Sequence, residues 1–151
     1  SAINYIGTCL IEATNISEGR GTTRPFDIVG APFIDSAKLC DEMNSYGLEG
    51  VFFSRAYFTP MFGKWKDAVC EGVQFNISNR AFYDPHAAGI FLLSSLQKYS
   101  EFQLKENAMC LRYGRDSLVT APVIEPEKIL ADEKIEIDSY KEQIRSFLIY
   151  D

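Results

Sequence analysis

The sequence has few of the residues on which metal and redox chemistry usually depend. His86 is its only histidine, so a histidine-rich metal site is excluded and a Cys–His nucleophile pair would have a single possible base. No two cysteines form a C-x-x-C pair of the kind that binds zinc or carries out redox chemistry. We therefore predict neither a metal nor a cofactor, and we interpret the cysteines as structural thiols of the core. They are Cys9, Cys40, Cys70 and Cys110.

An excess of positive charge and a long apolar run are also missing. The net charge of −6 disfavours nucleic acid as a partner, because phosphate binding requires a positive surface. No apolar run approaches the roughly 20 residues of a membrane-spanning helix. What is present is 46% hydrophobic and 13% aromatic residues in a chain of 151, which is enough for one folded domain with a core.

Hydrophobic patterns predict one α+β domain, in which a small, mostly antiparallel sheet packs against several helices. Residues 3–12 are rich in Ile, Tyr, Thr and Cys, which predicts a buried strand. Residues 51–58 predict a second strand, stopped by Pro60. In residues 73–78, apolar and polar side chains alternate, and this period of two predicts a third strand with one buried face.

Capping residues predict where the helices begin. Asp35 or Ser36 can cap a helix that ends at Gly47. Asp84 is a good N-cap for the clearest helix, because Pro85 then occupies the first helical position. The apolar residues of that helix predict burial against the sheet; they are Ile90, Phe91, Leu92, Leu93 and Leu96.

The last 26 residues predict two further helices. Pro126 can begin a short one. Residues 139–148 predict a separate terminal helix with an apolar face. The residues expected to point inward are Tyr140, Ile144, Phe147 and Leu148.

The segment "IEATNISEGRGTTRPFDIVGAPFID", residues 11–35, predicts a long loop between its apolar start and the helix cap at its end. Loops of that length are uncommon in small domains and are usually functional or disordered. Arg20 and Arg24 bracket Gly-Thr-Thr, a combination that favours an anion site, because arginine grips a carboxylate bidentately and glycine admits backbone N–H groups. Alternatively, the arginines pair with Glu12 or other loop carboxylates and brace the loop.

Glu12 ends the first predicted strand, at the border between core and loop. A carboxyl group that is half-desolvated there would have a raised pKa, which suits a general acid. The alternative is a surface glutamate or the partner of a nearby arginine. Tyr57 ends the second predicted strand and is either a ligand platform or a core residue. His86 is interpreted as packed or solvated.

Taken together, these motifs carry a family resemblance. "CLIEATNISEGRGTTRPFDIVGAPFID" resembles the bacterial exo-β-N-acetylmuramidase (NamZ) family of cell-wall glycosidases, whose pattern runs F-E-G-T-N, S-x-G-R-G-T-x-x-P-F and G-A-P-[WF]. Similar segments follow in order: "FFSRAYFTPMFGKW", "CEGVQFNISNR", "RYGRDSLV" and a terminal helix near "FLIYD". Ala13 stands where the family has glycine.

The resemblance implies a division of labour between two domains. Family members have an N-terminal Rossmann-like domain and a C-terminal auxiliary domain, with the active site in the cleft between them. They release N-acetylmuramic acid from the non-reducing ends of peptidoglycan fragments. Residues 1–151 would then be the auxiliary domain, inactive without the N-terminal domain, and a periplasmic or extracellular location is implied.

The resemblance also implies roles for individual residues. Because most glycosidases use two carboxyl groups, Glu12 is expected to supply or support the second. Arg20 or Arg24 would bind the lactyl carboxylate that distinguishes muramic acid. The remaining expected substrate contacts are Asn15, Ser17, Thr22 and Tyr57.

Two rival functions remain open from the sequence. The domain can be a non-catalytic glycan-binding or structural module, in which Glu12 and the arginines form an interdomain ion-pair brace. A phosphate or nucleotide site rests on the Gly/Arg loop alone, and the loop lacks the G-K-[ST] ending and the following helix of a P-loop.

Overall fold

A three-stranded antiparallel sheet lies at the centre of the computed structural model, which describes residues 2–149. The third strand in sequence is the middle strand and pairs with both others. Phe53 lies opposite Phe75, and Val29 lies opposite Val73, so both pairs place apolar side chains in the core. The strands are β1 (Ile28–Ala31), β2 (Val51–Phe58) and β3 (Cys70–Ile77).

Six α-helices and two short 3-10 segments complete the described part of the chain, which confirms the predicted α+β class. The second helix packs against the second and third strands, and the third helix packs against the first, second and sixth helices. The helices are α1 (Ala2–Thr8), α2 (Ser36–Ser45), α3 (Pro85–Leu96), α4 (Glu106–Tyr113), α5 (Ser117–Thr120) and α6 (Pro126–Ile144); the 3-10 segments are Cys9–Ala13 and Arg145–Phe147.

The caps predicted for α2 and α3 are confirmed. The Asp35 side chain accepts hydrogen bonds from the backbone N–H groups of Ala37 and Lys38. The Asp84 side chain accepts one from Ala87 N, with proline at the start of the helix. The predicted apolar residues of α3 are all buried, but mainly against α1, α2 and α6 and not against the sheet as predicted.

The prediction of a strand over residues 3–12 is wrong, since this segment forms α1 and the first 3-10 turn. Its buried positions include Asn4, Gly7, Thr8 and Ile11, a helical spacing that the β-branched composition concealed. Gly7 lies so close to α3 that a Cβ there would come within 1.9 Å of Pro85 O. Tertiary packing therefore overrides the local strand preference.

The C-terminal prediction is wrong in two respects. Residues 126–144 form one continuous helix of 19 residues rather than two. The face expected to point inward is largely exposed: Tyr140 is 60% exposed and Phe147 is 81% exposed. An amphipathic pattern predicts burial only where another element covers the apolar face.

The cysteine prediction holds for two of the four thiols. Cys40 and Cys70 are buried, whereas Cys9 and Cys110 are partly exposed, and all four are free. Burial raises the pKa of the Cys70 thiol to about 11. Within residues 2–149, no helix has the length and apolar character needed to span a membrane.

Candidate functional site

Residues 14–27, here called the 14–27 loop, are tied to the domain by backbone hydrogen bonds. Ser17 and Gly30 exchange two such bonds, of 2.9 and 3.0 Å, as an isolated bridge. Phe26 N donates to Glu18 O at 2.7 Å. The expected loop is therefore ordered, and it is shorter than predicted because β1 follows it. All four residues of β1 are buried, so the strand shows no alternation by which it could be recognised.

Two glycines allow this loop to approach its neighbours closely. Gly19 and Gly21 have φ angles of +77° and +84°, which favour glycine. A Cβ on Gly21 would lie 2.5 Å from Phe62 O. Gly21 O accepts a hydrogen bond from Met61 N at 2.9 Å. Gly21 thus permits contact between two loops of the domain, whereas a Cβ on Gly19 would meet Ile28 and Arg24 O.

Lys64 anchors the 14–27 loop to the rest of the domain. Its ammonium group donates to Ile11 O at 2.9 Å, to Ile16 O at 2.8 Å and to Glu18 Oε2 at 2.9 Å, which uses all three of its donors. Glu18 is only 5% exposed, so its charge needs this partner. Burial lowers the pKa of Lys64, although the Glu18 carboxylate opposes that shift. Nothing in "FGKWK" indicates such a role.

Glu12 is held between two arginines. Arg20 donates to Glu12 Oε1, and Arg112 Nε donates to Glu12 Oε2 at 3.3 Å. Burial by itself would raise the pKa of Glu12, but the two arginines outweigh burial and hold the pKa below the ordinary glutamate value. The expectation of a raised pKa is therefore wrong. The carboxyl group is an ionised acceptor in this domain.

Arg20 is paired through two of its three guanidinium nitrogens. Its Nε lies 3.2 Å from Glu18 Oε1, and its guanidinium carbon lies 4.9 Å from the centre of the Phe26 ring, within cation–π range. We call Glu12, Glu18, Arg20, Lys64 and Arg112 the ion-pair cluster. Sequence reasoning missed its last two members because they join the loop from positions far along the chain.

Asn15 and Ser17 are bonded inside the domain. The Asn15 amide donates to Glu101 O at 2.8 Å and accepts from Gln103 N at 2.9 Å. Ser17 is 1% exposed, and its hydroxyl accepts from Gly19 N at 3.2 Å. Both side chains stabilise the loop.

Thr22, Arg24 and Tyr57 line one cavity of about 320 Å³. Arg55 and Gln74 line it too, and we call it the arginine cavity.

In the strand register, Arg55 lies opposite Val73 and Tyr57 opposite Glu71, whereas Gln74 lies opposite Ser54. Because side chains alternate along a strand, Arg55 and Tyr57 belong to one face of the sheet and Gln74 to the other. Of the loop's own residues at this cavity, Arg24 is exposed. Arg55 was not singled out from the sequence, where it is one charged residue within a strand pattern.

Local contacts hold the walls of the arginine cavity in place. The Thr22 hydroxyl donates to Gly19 O at 2.6 Å and accepts from Arg24 N at 3.1 Å, which fixes the turn. The Tyr57 hydroxyl lies 2.8 Å from Ser36 Oγ, while the side chain stays 63% exposed. The structure thus places the seven predicted site residues in three settings: two in the ion-pair cluster, three at the arginine cavity and two bonded inside the domain.

His86 lies at a helix junction away from these residues. Its Nε2 is 2.8 Å from Glu133 Oε2, and the Tyr113 hydroxyl donates to Glu133 Oε1. The three side chains connect α3, α4 and α6. In the described part of the chain, no group of three or more His, Cys, Asp or Glu side chains could hold a metal ion.

Solved structures share this fold. A DUF1343 family protein from Bacteroides fragilis superimposes with a TM-score of 0.84 at 18% identity, over 99% of this chain and 42% of the other. A second DUF1343 family protein from that organism gives a TM-score of 0.60 at 19% identity, over 99% and 40% of the two chains. The α+β domain is thus of the kind found within DUF1343 proteins.

The sequence itself matches the family described as "Exo-beta-N-acetylmuramidase NamZ, C-terminal" over residues 3–150. The chain belongs to this family, which confirms the resemblance. It is 45% identical over 96 residues to the protein named "Peptidoglycan beta-N-acetylmuramidase NamZ" of Bacillus subtilis (strain 168), a match that covers 64% of this chain and 23% of that protein. The chain therefore spans less than half the length of each of these relatives.

Proposed function

We propose that this chain is the C-terminal auxiliary domain of a two-domain cell-wall glycosidase. In this proposal, the whole protein is an exo-β-N-acetylmuramidase that releases N-acetylmuramic acid from the non-reducing ends of peptidoglycan fragments, outside the cytoplasm. An N-terminal Rossmann-like domain supplies the principal catalytic carboxylate. Support comes from membership of the NamZ C-terminal family over residues 3–150 and from the activity in the printed name of the relative that is 45% identical.

One structural observation supports the choice of a particular surface as the wall of the cleft. The 14–27 loop is anchored to the domain by the part-buried Lys64–Glu18 pair, yet Arg20, Thr23 and Arg24 remain exposed. A loop with a rigid base and an exposed polar rim is what one wall of a ligand cleft requires, because binding groups must be held in fixed positions. We therefore assign the cleft wall to this loop.

Glu12 acts in this proposal as an ionised carboxylate. An ionised group cannot protonate a leaving oxygen, so we assign the general acid to the other domain. Glu12 supplies a negative charge at the wall and holds Arg20 and Arg112 in position. In this proposal, Glu12 serves as the second carboxylate expected of most glycosidases, or supports it by holding the arginines in position.

We choose the substrate-facing groups by asking which side chains already make hydrogen bonds within the domain. Arg24 and Tyr57 are open to a ligand, whereas Asn15, Ser17 and Thr22 spend their polar groups within the domain. We assign these last three residues to shaping the wall and the first two to contact with the sugar. Arg20 remains a candidate for the lactyl carboxylate only if substrate displaces one of its glutamates.

The structural alternative is favoured by one specific observation. Both oxygens of Glu12 already accept from arginines of this same domain, which braces the loop internally rather than across a domain boundary. In that case the domain completes the cleft and holds the other domain without touching the reacting sugar.

Kinetics of the whole two-domain protein test the proposal. Glu12→Gln is expected to lower kcat, and Arg20→Ala to raise KM for muramic-acid substrates with a smaller effect on kcat. Glu42→Gln is the matched control, because Glu42 is also part-buried, accepts from Lys98, Tyr46 and Ser95, and has a pKa held low by them against the effect of burial. Unchanged kinetics in both test variants, or equal losses in the control, would remove the proposal for this wall.

A further inference from the structure

Residues 59–69, which connect β2 to β3 and are here called the hairpin loop, present apolar side chains to solvent. Met61 is 77% exposed, Phe62 is 63% exposed and Val69 is 67% exposed. Single exposed apolar residues are ordinary on a protein surface, whereas several in one short loop are typical of an interaction surface. Lys66 and Asp67 of the same loop are exposed and lie 3.8 Å apart. The loop thus combines apolar and polar residues, as protein interfaces do.

Hydrogen bonds fasten the hairpin loop to the 14–27 loop. Trp65 Nε1 donates to Asn15 O at 2.6 Å, and Met61 N donates to Gly21 O at 2.9 Å. The Lys64 ammonium group adds its bonds to the same loop. The exposed apolar residues are therefore held beside the loop that we assign to the cleft wall.

Backbone strain is concentrated in these two loops. In the described part of the chain, the non-glycine residues with positive φ are Phe26 at +66°, Trp65 at +58° and Asp67 at +60°. The first lies in the 14–27 loop and the other two lie in the hairpin loop. A bulky aromatic residue rarely adopts this conformation, and it persists only where the surrounding contacts hold it. Because such strain clusters at functional sites, it indicates that the shape of the two loops has a use.

We propose that the hairpin loop docks on the second domain of the whole protein, with Met61 and Phe62 buried at the contact. This inference rests on the proposed function and adds the surface at which the two domains meet. The chain spans less than half the length of its relatives, so the proposed whole protein has a second domain that can cover the loop. A domain that faces the 14–27 loop across a cleft has to contact this domain beside that loop, where the hairpin loop lies. The surface that receives the loop is apolar, because methionine and aromatic side chains gain most from burial against apolar atoms.

Two other occupants fit the hairpin loop less well. An anionic lipid surface attracts segments with an excess of positive charge. In this loop Lys64 is bonded to Glu18 and Lys66 lies beside Asp67, and the chain carries a net charge of −6. A second copy of the chain would bring two such negative charges together, which disfavours association.

Photo-cross-linking in the whole two-domain protein tests the inference. With p-benzoyl-phenylalanine in place of Phe62, we expect a cross-link within one molecule to a peptide outside residues 1–151, identified by mass spectrometry. The matched control has the same replacement at Phe82, which is 64% exposed and lies outside the hairpin loop. It should give a much lower yield. The same replacement at Tyr140 examines the exposed face of α6.

A double variant measures the docking without a bulky probe. Met61→Ser combined with Phe62→Ser should speed amide hydrogen exchange of the hairpin loop in the whole protein by about tenfold or more, since truncation of an aromatic anchor commonly weakens an interface by at least that factor. Phe82→Ser should exchange like the unaltered protein. Both substituted side chains of the double variant are exposed in this domain, so thermal melts should show that the domain remains folded.

Several results would overturn the inference. Cross-links only between two molecules would identify a second copy as the occupant, and vesicle binding that the double variant abolishes would identify a lipid surface. Equal yields from positions 62 and 82, a cross-link from position 140 alone, or unchanged exchange in the double variant would also reject the hairpin loop as the docking surface.

Activity on peptidoglycan fragments separates this inference from the proposed function. An active whole protein that lacks the cross-link from position 62 would reject the docking surface and leave the proposed function standing. A whole protein that forms the cross-link but has no muramidase activity would reject the proposed function and leave the docking surface standing.

Discussion

Arg112 Nε donates to Glu12 Oε2 at 3.3 Å, and the two residues are 100 positions apart in the chain. The contact joins α4 to the 3-10 turn that precedes the 14–27 loop. Because Arg20 binds the other oxygen of the same carboxylate, this pair links a distant helix to the candidate cleft wall. The geometry of the wall therefore depends on the C-terminal half of the domain.

The anchoring role of Lys64 predicts a loss of stability in Lys64→Met. The substitution leaves the nearly buried Glu18 with Arg20 alone and removes the partners of two backbone carbonyl groups. Breaking a fully buried pair in this way costs about 3–5 kcal/mol; because Lys64 is part-exposed and Glu18 keeps Arg20, we expect a loss below that range, measured by urea denaturation. Lys66→Met is the control, since Lys66 is exposed and lies 3.8 Å from an exposed Asp67. Similar midpoints for the two variants would contradict the anchoring role.

The close approach of the two loops predicts that Gly21→Ala is more harmful than Gly63→Ala. Both glycines have nearly the same φ, +84° and +83°, so both variants carry the same backbone strain. Only at Gly21 would the new Cβ meet another atom, Phe62 O at 2.5 Å. We expect Gly21→Ala to cost about 1–3 kcal/mol more in unfolding free energy. Equal costs would mean that loop contact does not require this glycine.

The low pKa of Glu12 predicts a specific dependence of stability on pH. Because the pKa is lower in the folded state than in the unfolded state, the stabilisation is complete above the unfolded value of about 4.3. It is lost as the pH falls through the folded value. Urea denaturation from pH 6 downward should show a shallower decline for Glu12→Gln than for the unaltered domain. An identical decline would show that the arginines do not stabilise the ionised form.

The Glu133 junction predicts local rather than global opening at the C-terminal helix. Glu133 accepts from Tyr113 and lies 2.8 Å from His86 Nε2. Glu133→Ala should therefore speed amide hydrogen exchange along α6 with a smaller change in the sheet. Glu136→Ala is the control, because its partner Arg115 is exposed. Equal exchange in the two variants would show that the contacts of Glu133 do not hold α6 against the domain.

The sequence predicted those elements that carry their own local signals. Capping residues identified α2 and α3, and alternation identified β3, because these patterns follow directly from helix and strand geometry. The strand predicted at the N terminus is a helix because glycine contact between α1 and α3 outweighs β-branched composition. The exposed face of α6 was unpredictable, since a pattern does not state what covers it.

The candidate site was predictable only in part, for a related reason. The motif of the 14–27 loop identified Glu12, Arg20 and Arg24 as charged residues of interest. It did not reveal that Arg20 belongs to an ion-pair cluster, because the cluster members Arg112 and Lys64 come from distant segments. Pairing is decided by tertiary contacts, and those contacts changed the expected pKa of Glu12 from raised to lowered.

A crystal structure of the whole two-domain protein with N-acetylmuramic acid tests the central claim most directly. We expect a sugar in the cleft with polar groups within hydrogen-bond distance of the 14–27 loop, Arg24 included. A sugar that contacts only the other domain, with this loop turned away from the cleft, would overturn the assignment of the cleft wall to this loop.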